Sequence, residues 1–363
     1  MKNVLGNQIT ITLFGESHGE MIGCVMDGLP PGLTIDNDFI ERQMSKRKAV
    51  GNISTARNEE DIVNIVSGVY NGKTTGTPLT IIIKNEKQHS KDYDKLYGVA
   101  RPSHADYTAE IKYNGFQDYR GGGHFSGRLT APIVAAGSIA LKMLESKNIS
   151  IGTHLSEVAG IKDDGFSDSL TEIAELNDKH FATINDEIGK DMIKAIENAK
   201  ADGDSVGGVL ESWVVGLEAG IGEPIFDSLE GLLAHALFGI GGIKGVEFGS
   251  GFALAKMRGS AANDEWTLDG NTMKTTTNHS GGINGGISNG MPLIIKTVVK
   301  PTASISKHQN TVNYKTNELV EIEIEGRHDP AIIHRARVVQ DSVIALVLVD
   351  VLTARKGIEW WTK

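Results

Sequence analysis

The chain has 363 residues, of which 40% are hydrophobic, 23% charged and 6% aromatic, with a formal net charge of −10. Such a length and composition belong to a globular protein with a sizeable core. An acidic chain poor in aromatics is excluded as a general nucleic-acid binder, because that function needs a cationic surface and stacking platforms. The single cysteine, Cys24, excludes an internal disulfide and fits a reducing, cytoplasmic setting.

From the N-terminus, MKNVLGNQITITLFG alternates polar and apolar residues and offers no apolar run of signal-peptide type. Alternation and β-branched runs predict strands over 8–14, 24–27, 61–70 and 79–84, with a polar helix over 38–48. Cys24 lies in one of these runs, MIGCVMDG, as a buried small hydrophobe. Residues 131–147 have a helical period, with Pro132 tolerable in the first turn only. The more polar stretch 148–202 is expected to be a surface helical excursion. Beyond it come strands over 207–217, 244–248 and 293–299, and a helix near 227–238. A final helix is expected to start at Pro330, with Asp329 as its N-cap. Its apolar run near 338–354 is broken by Asp341 and Asp350, so it reads as a buried helix and not as a membrane span. No linker divides the chain, and residues 1–363 are expected to form one α+β domain without the βαβ spacing of a dinucleotide-binding fold.

Five segments carry candidate chemistry. Gly15-Glu16-Ser17-His18-Gly19 matches the G-x-S-x-G nucleophile elbow in letters, but that motif needs a helix next, and EMIGCVMDG reads as a second strand. Ser17 and His18 are therefore expected on a hairpin-like turn that faces a ligand. Arg101-Pro102-Ser103-His104-Ala105-Asp106 holds a second histidine. Arg120 to Arg128 (RGGGHFSGR) opens the 131–147 helix, where amides and arginines make an anion site. The glycine-rich 279–286 stretch is followed by Lys300-Pro301-Thr302-Ala303-Ser304, whose lysine and hydroxyls suit a phosphate monoester. Last comes Gly326-Arg327-His328-Asp329-Pro330. Cations and glycine turns thus recur beside histidines or hydroxyls, as a composite pocket for phosphates and carboxylates requires.

These segments, in this order, resemble the chorismate synthase family. So do Asp27-Gly28-x-Pro-Pro-Gly, the Ser67 to Pro78 run SGVYNGKTTGTP, and GGISNG, and the resemblance runs from about Asn7 to Asp350. It implies a β-α-β sandwich assembled as a homotetramer. It also implies anti-1,4-elimination of phosphate from 5-enolpyruvylshikimate 3-phosphate, assisted by reduced FMN, to give chorismate. By position, His18 matches the acid for the departing phosphate, and His104 the residue that protonates reduced flavin. Asp329 matches the carboxylate working in removal of the C6 proton, and Ser17 a substrate-side hydroxyl. Arg47, Arg128 and Arg327 match arginines for substrate or cofactor phosphate. Flavin contacts carried over are His124, Phe125, Ser126, Gly241, Gly242, Gly285, Lys300, Pro301, Thr302, Ala303, Ser304 and Arg327. The family's usual GRSSARET appears here with His124, Phe125 and Leu129, and its RRRPG as Lys46 to Val50. Val338 and Asp341 replace a common Pro and Glu. A non-catalytic paralogue that binds FMN and a phosphorylated ligand is the alternative. The chain shows no reductase domain of its own, so the expected reductant is an external flavin reductase, with NADPH as an indirect source. No nucleic acid, membrane or metal partner is expected.

Overall fold

The computed structural model describes residues 3–49, 51–54, 60–86, 97–167, 170–324 and 329–363. The first half runs β1 (Val4–Leu5), β2 (Thr10–Gly15), β3 (Met21–Asp27), α1 (Asn37–Lys46), β4 (Asn64–Ser67), β5 (Val69–Tyr70), β6 (Lys73–Thr74), β7 (Leu79–Lys84), α2 (Asp106–Lys112) and α3 (Thr130–Glu145). It continues through β8 (Ser150–Val158), β9 (Ile161–Lys162), α4 (Leu170–Asp178), α5 (Asp186–Ala201), β10 (Gly208–Val215), α6 (Leu229–Leu237), β11 (Ile243–Phe248) and α7 (Gly259–Ala262). The last elements are β12 (Trp266–Asp269), β13 (Thr272–Thr275), β14 (Ile283–Asn284), β15 (Ile287–Ser288), β16 (Leu293–Val299), β17 (Gln309–Asn313), β18 (Glu318–Ile322) and α8 (Ile333–Lys356).

Two antiparallel sheets form the outer layers, β1-β2-β3-β7-β4 and β11-β16-β10-β8-β9. Helix α3 packs on β3 and β7 of the first sheet, α8 packs on β8 and β10 of the second, and the two helices pack on each other. The result is a β-α-β sandwich with the core between sheets and helices. Strand alternation explains the first sheet: Leu79, Ile81 and Ile83 of β7 are fully buried, whereas Thr80 and Ile82 are only partly so. Helix α1 starts at its N-cap Asp36, which accepts from Phe39 N at 2.9 Å. Cys24 is buried and its thiol is pushed up to about 12 by burial, so it is an inert core residue.

Helix α8 is apolar around most of its circumference, as a helix must be when enclosed by a sheet and other helices. Its buried polar groups meet partners on the second sheet. Thr297 Oγ1 donates to Gln340 Oε1 at 2.5 Å, Gln340 Nε2 donates to Ser212 Oγ at 2.7 Å, and Thr153 Oγ1 donates to Asp341 Oδ1 at 2.5 Å. At the far end, the Asp350 carboxylate accepts from the amides of Asn7, Gln8 and Ile9. The helix stops at Gly357, whose φ of 79° suits glycine.

Three expectations are corrected. Helix α8 begins at Ile333 with no side-chain cap, so Asp329 is not an N-cap. The chain bends at Pro330 before the helix, and the Asp329 carboxylate accepts from Arg335 Nη1 at 2.8 Å. The 148–202 stretch opens with β8, an interior strand of the second sheet, before it reaches α4 and α5. Its polar letters misled because β8 buries Thr153 and His154 with polar partners. The strand expected over 61–70 divides into β4 and β5, and Asp61 lies outside both.

Helices α3 and α8 approach closely at Gly137, where an added Cβ would lie 2.2 Å from Ser342 Cβ. Gly137→Ala should destabilise the protein by about 2 kcal/mol through overpacking. Chemical denaturation measures this, and an unchanged midpoint would mean that the two helices separate freely.

Candidate active site

Ser17 and His18 sit in the turn between β2 and β3, both buried. A strand follows this turn, so the nucleophile-elbow geometry is absent there. Asn85 braces the turn from the end of β7: its Nδ2 donates to the carbonyls of Glu16 (3.0 Å) and Gly19 (2.9 Å), while its Oδ1 accepts from Arg128 Nε (3.0 Å). The Ser17 hydroxyl lies 3.1 Å from His18 Nδ1 and within donor reach of the Arg120 and Gly121 carbonyls, at 3.2 and 3.1 Å.

The loop Gly121-Gly122-Gly123 explains the glycine triple. All three residues have positive φ. A Cβ on Gly121 would come within 2.2 Å of His18 Cε1, and one on Gly123 within 2.1 Å of the Asp118 carbonyl oxygen. On the other side, Gly122 lies against His104: its ideal Cβ would be 3.4 Å from His104 Cε1. Neighbouring glycines of the loop thus each lie against one of the two histidines. His104 Nδ1 lies 2.9 Å from Asp106 Oδ1, and Arg101 grips the same carboxylate through Nε (2.8 Å) and Nη2 (2.7 Å). Burial alone would raise the Asp106 carboxyl, but hydrogen bonds from Arg101 and His104 outweigh it and hold it below the ordinary range. His104, Asp106, Gly122 and Phe125 line one small cavity.

A larger cavity of about 270 Å³ is lined by Ser17, Arg47, Ser126, Arg128, Gly241 and Asp329, together with Lys48, Asp61 and Arg335. That volume is close to the lower end for small-molecule sites, roughly 300 Å³. Four cations face two carboxylates here, although the chain as a whole is acidic. Arg47 comes from the end of α1 and reaches Thr130 Oγ1 at 3.2 Å and Asp61 Oδ2 at 2.5 Å. Arg128 comes from the turn before α3 and pairs with the other oxygen of Asp61. Arg335, on the first turn of α8, donates to Asp329 and to the Arg47 carbonyl oxygen (2.8 Å). Burial alone would raise the Asp61 carboxyl, but Arg47 and Arg128 overcome this and leave it lowered.

The structure thus gathers Ser17, Arg47, Ser126, Arg128, Gly241 and Asp329 on one cavity, and places His18 and His104 on either side of the glycine loop beside it. Lys300 approaches from the histidine side, where its Nζ donates to the Ser103 carbonyl at 2.6 Å and its amide to the Gly242 carbonyl. Among the described residues, Pro301, Thr302, Ala303, Ser304 and Gly285 do not line the larger cavity. Gly285 lies in the turn between β14 and β15. Arg327 lies outside the described residues.

The family model described as Chorismate synthase matches residues 9–353. The chain is 45% identical to the chorismate synthase of Methanobrevibacter smithii, over 96% of each chain. It is 44% identical to that of Dehalococcoides mccartyi, over 99% of this chain and 98% of the other. A solved structure described as a crystal structure of chorismate synthase superposes with a TM-score of 0.76 at 26% identity, covering 97% and 93% of the two chains. The chain belongs to the chorismate synthase family. It is a lyase of the shikimate pathway that forms chorismate from 5-enolpyruvylshikimate 3-phosphate, with the reduced flavin on which that family depends. No helix among the described residues is long and apolar enough to cross a membrane.

Membership puts the departures in the glycine loop in context. His124, in place of the usual arginine, donates from Nδ1 to the Gly15 carbonyl at 2.8 Å and so ties the loop to the end of β2. Asp61, Arg335 and Asn85 were not singled out by sequence. In sequence Asp61 reads only as the first residue of a strand expected over 61–70, and Arg335 stands in a helix read for its apolar residues. Asn85 alone carried a signal, as a polar residue that ends an apolar strand.

His334, next to Arg335, is buried with Nε2 2.8 Å from Ser54 Oγ, and its Nδ1 has no hydrogen-bond partner among the described residues. Burial, with Arg335 and His180 nearby, lowers it from 6.5 to about 3. The unfolded chain therefore takes up a proton below pH 6.5 that the folded chain refuses. Stability should fall as pH drops from 6.5 towards 3, by up to roughly 1.4 kcal/mol per pH unit from this group. His334→Gln should flatten the slope between pH 6.5 and 5 in urea titrations, and an identical slope would show that His334 is protonated in the fold.

Proposed function

We propose that the flavin is FMN and that the larger cavity holds the substrate's phosphate and carboxylates, with His18, His104, Asp329 and Ser17 acting on them. The observation that supports this reading is the meeting of residues from six separate segments on one cavity, with the two histidines beside it. A trianionic substrate needs several fixed cations; Arg47 and Arg128 are fixed by burial and hydrogen bonds, and Lys48 lines the same cavity.

The residues around the glycine loop suit a flat polar ring system. The Gly122 backbone leaves room beside His104, Phe125 contributes an exposed aromatic edge, and Thr302 has a buried hydroxyl oxygen with no partner among the described residues. His104, Phe125, Gly242 and the segment from Lys300 to Ser304 would hold the cofactor, with His124, Ser126, Gly241, Gly285, Arg47 and Arg327 as further contacts. Reduced FMN, when bound, supplies electron density that assists cleavage of the carbon–oxygen bond.

The chain's own residues manage charge and protons. Arg47 and Arg128 bind and orient the anionic groups, with Arg327 as the third arginine. With Ser17 Oγ at Nδ1, His18 presents its other ring nitrogen, Nε2, as the donor to the departing phosphate. Asp329, held by Arg335, accepts a proton as the new double bond forms, and Asp106 holds His104 by its Nδ1 so that Nε2 handles the cofactor-side proton. Phosphate leaves with the carbon–oxygen electron pair and the C6 proton departs, so the reaction is redox-neutral overall. The same reading includes a homotetramer in the cytoplasm, an external flavin reductase and NADPH as indirect reductant.

Anaerobic phosphate release with dithionite-reduced FMN tests the assignment. Wild type should release phosphate, and Asp329→Asn should bind FMN normally but lose about 100-fold or more in turnover. A variant that turns over at the wild-type rate would remove Asp329 from the mechanism. A phosphate dianion beside His18 also favours its imidazolium, so substrate binding should take up a proton near neutral pH. Calorimetry in buffers of different ionisation enthalpy measures this, and equal uptake by His18→Ala would count against the role.

A further inference from the structure

We propose that Asp61 is an internal substrate mimic: its carboxylate occupies the anion position between Arg47 and Arg128, and is displaced when an anionic group of the ligand binds, so that it sets how strongly and how selectively the cavity takes polyanions. This deepens the substrate assignment above and rests on it.

The geometry is that of a bound ligand. One Asp61 oxygen lies 2.5 Å from Arg47 Nη2 and the other pairs with Arg128 Nη1, and its side chain is only 4% exposed. Two guanidiniums converging on one carboxylate is the arrangement expected around a substrate carboxylate or phosphate. Asp61 fills that position imperfectly. It gives each arginine a single oxygen, and Arg47 Nε remains buried with no hydrogen-bond partner among the described residues. A phosphate has a third terminal oxygen with which to satisfy that group while keeping both arginines. The ligand therefore offers these cations more than Asp61 does.

Position also allows the exchange. Asp61 has a φ of 51°, in the left-handed region that aspartate enters more readily than most non-glycine residues. It lies on the wall between two cavities: the larger one, and a neighbour lined by Glu60, Ile62, Asn64, Lys84 and Glu86. A carboxylate turned out of the first cavity enters the second, where Lys84 is the cation and the carboxylates of Glu60 and Glu86 share the lining, so its return to the arginines is favoured once the ligand leaves. In the empty protein Asp61 has a separate use, because two buried guanidiniums without a counter-anion would be strongly destabilising. The resident carboxylate carries one negative charge, so a monoanion gains little by replacing it, whereas a phosphate dianion does gain. Charge selectivity follows from the competition.

The test is calorimetric titration of inorganic phosphate into the full-length protein, wild type against Asp61→Asn. Without its competitor the variant should bind phosphate about tenfold tighter and also accept formate, which wild type refuses. Equal or weaker phosphate binding by the variant overturns the proposal, because Asp61 would then be holding the arginines for the ligand. If Asp61→Asn does not fold, wild-type crystals soaked in phosphate decide. The proposal requires phosphate on Arg47 and Arg128 with Asp61 beyond hydrogen-bond distance of both, and Asp61 still seated on them, with or without phosphate elsewhere, overturns it. Wild type that binds phosphate on these arginines yet releases none from 5-enolpyruvylshikimate 3-phosphate would instead overturn the catalytic reading, and the exchange would stand.

Discussion

The register of α8 against the second sheet is the constraint on which the site depends. A 24-residue helix threaded through the centre could slide by a turn, about 5.4 Å, at little cost if its surface were uniformly apolar. Gln340, Asp341 and Arg337 prevent this. They are buried against Ser212, Thr153, Thr297 and the Lys179 carbonyl, and a shift by one turn would leave each without its partner. Burial pushes the Asp341 carboxyl up and Arg337 pulls it back, so their ion pair is poor evidence for stability but good evidence for position. Asp350 fixes the other end by capping three amides before β2. With the helix pinned at both ends, its first turn can only deliver Arg335 to Asp329 and to the end of α1.

That delivery concentrates positive charge where the chain as a whole is negative. Arg47, Arg128 and Arg335 come from three elements, and each is held by protein oxygens before any ligand arrives. Fixing cations in advance spares the reorganisation that a flexible lysine surface would need on binding. Burial disfavours the charge on Arg47, and Asp61 is the largest influence opposing it. A preorganised anion site thus needs an anion at all times. In this fold the chain supplies its own, the Asp61 carboxylate.

The chemistry-bearing segments were legible in the sequence because short polar motifs with fixed glycines are local. GESHG, RPSHAD and RGGGHFSGR each kept its letters together, and the structure brings them into contact. Helix 131–147, read from its period, and the polar helix over 38–48 lie within one or two residues of α3 and α1. Residues whose role depends on distant partners were not. Asp61 looks like the start of a strand until Arg47 and Arg128 are seen paired with it. Asp329 looks like a cap because a proline follows, and only the position of Arg335 one turn into the helix shows where its carboxylate goes. In β8, tertiary hydrogen bonds let polar side chains be buried, which inverts the usual reading of a polar stretch. The pattern reports burial, and burial reports structure only when polar groups lack internal partners.

The glycine loop shows why such an unusual sequence is needed at all. His18 is buried beside a hydroxyl, whereas His104 is partly exposed and held by a carboxylate, so the two imidazoles meet different proton environments. In the roles proposed above, the two groups would have to be close enough to serve one reacting molecule but kept from sharing one proton. A side chain between them would add bulk that pushes one histidine off its partner; at Gly121 even a methyl group would overlap the His18 ring. Three consecutive residues at positive φ make a partition one backbone thick. His124, at the end of that partition, ties it through Gly15 to the strand that leads into His18. Loop and turn are tied a second time where the Ser17 amide donates to the Gly123 carbonyl at 3.1 Å.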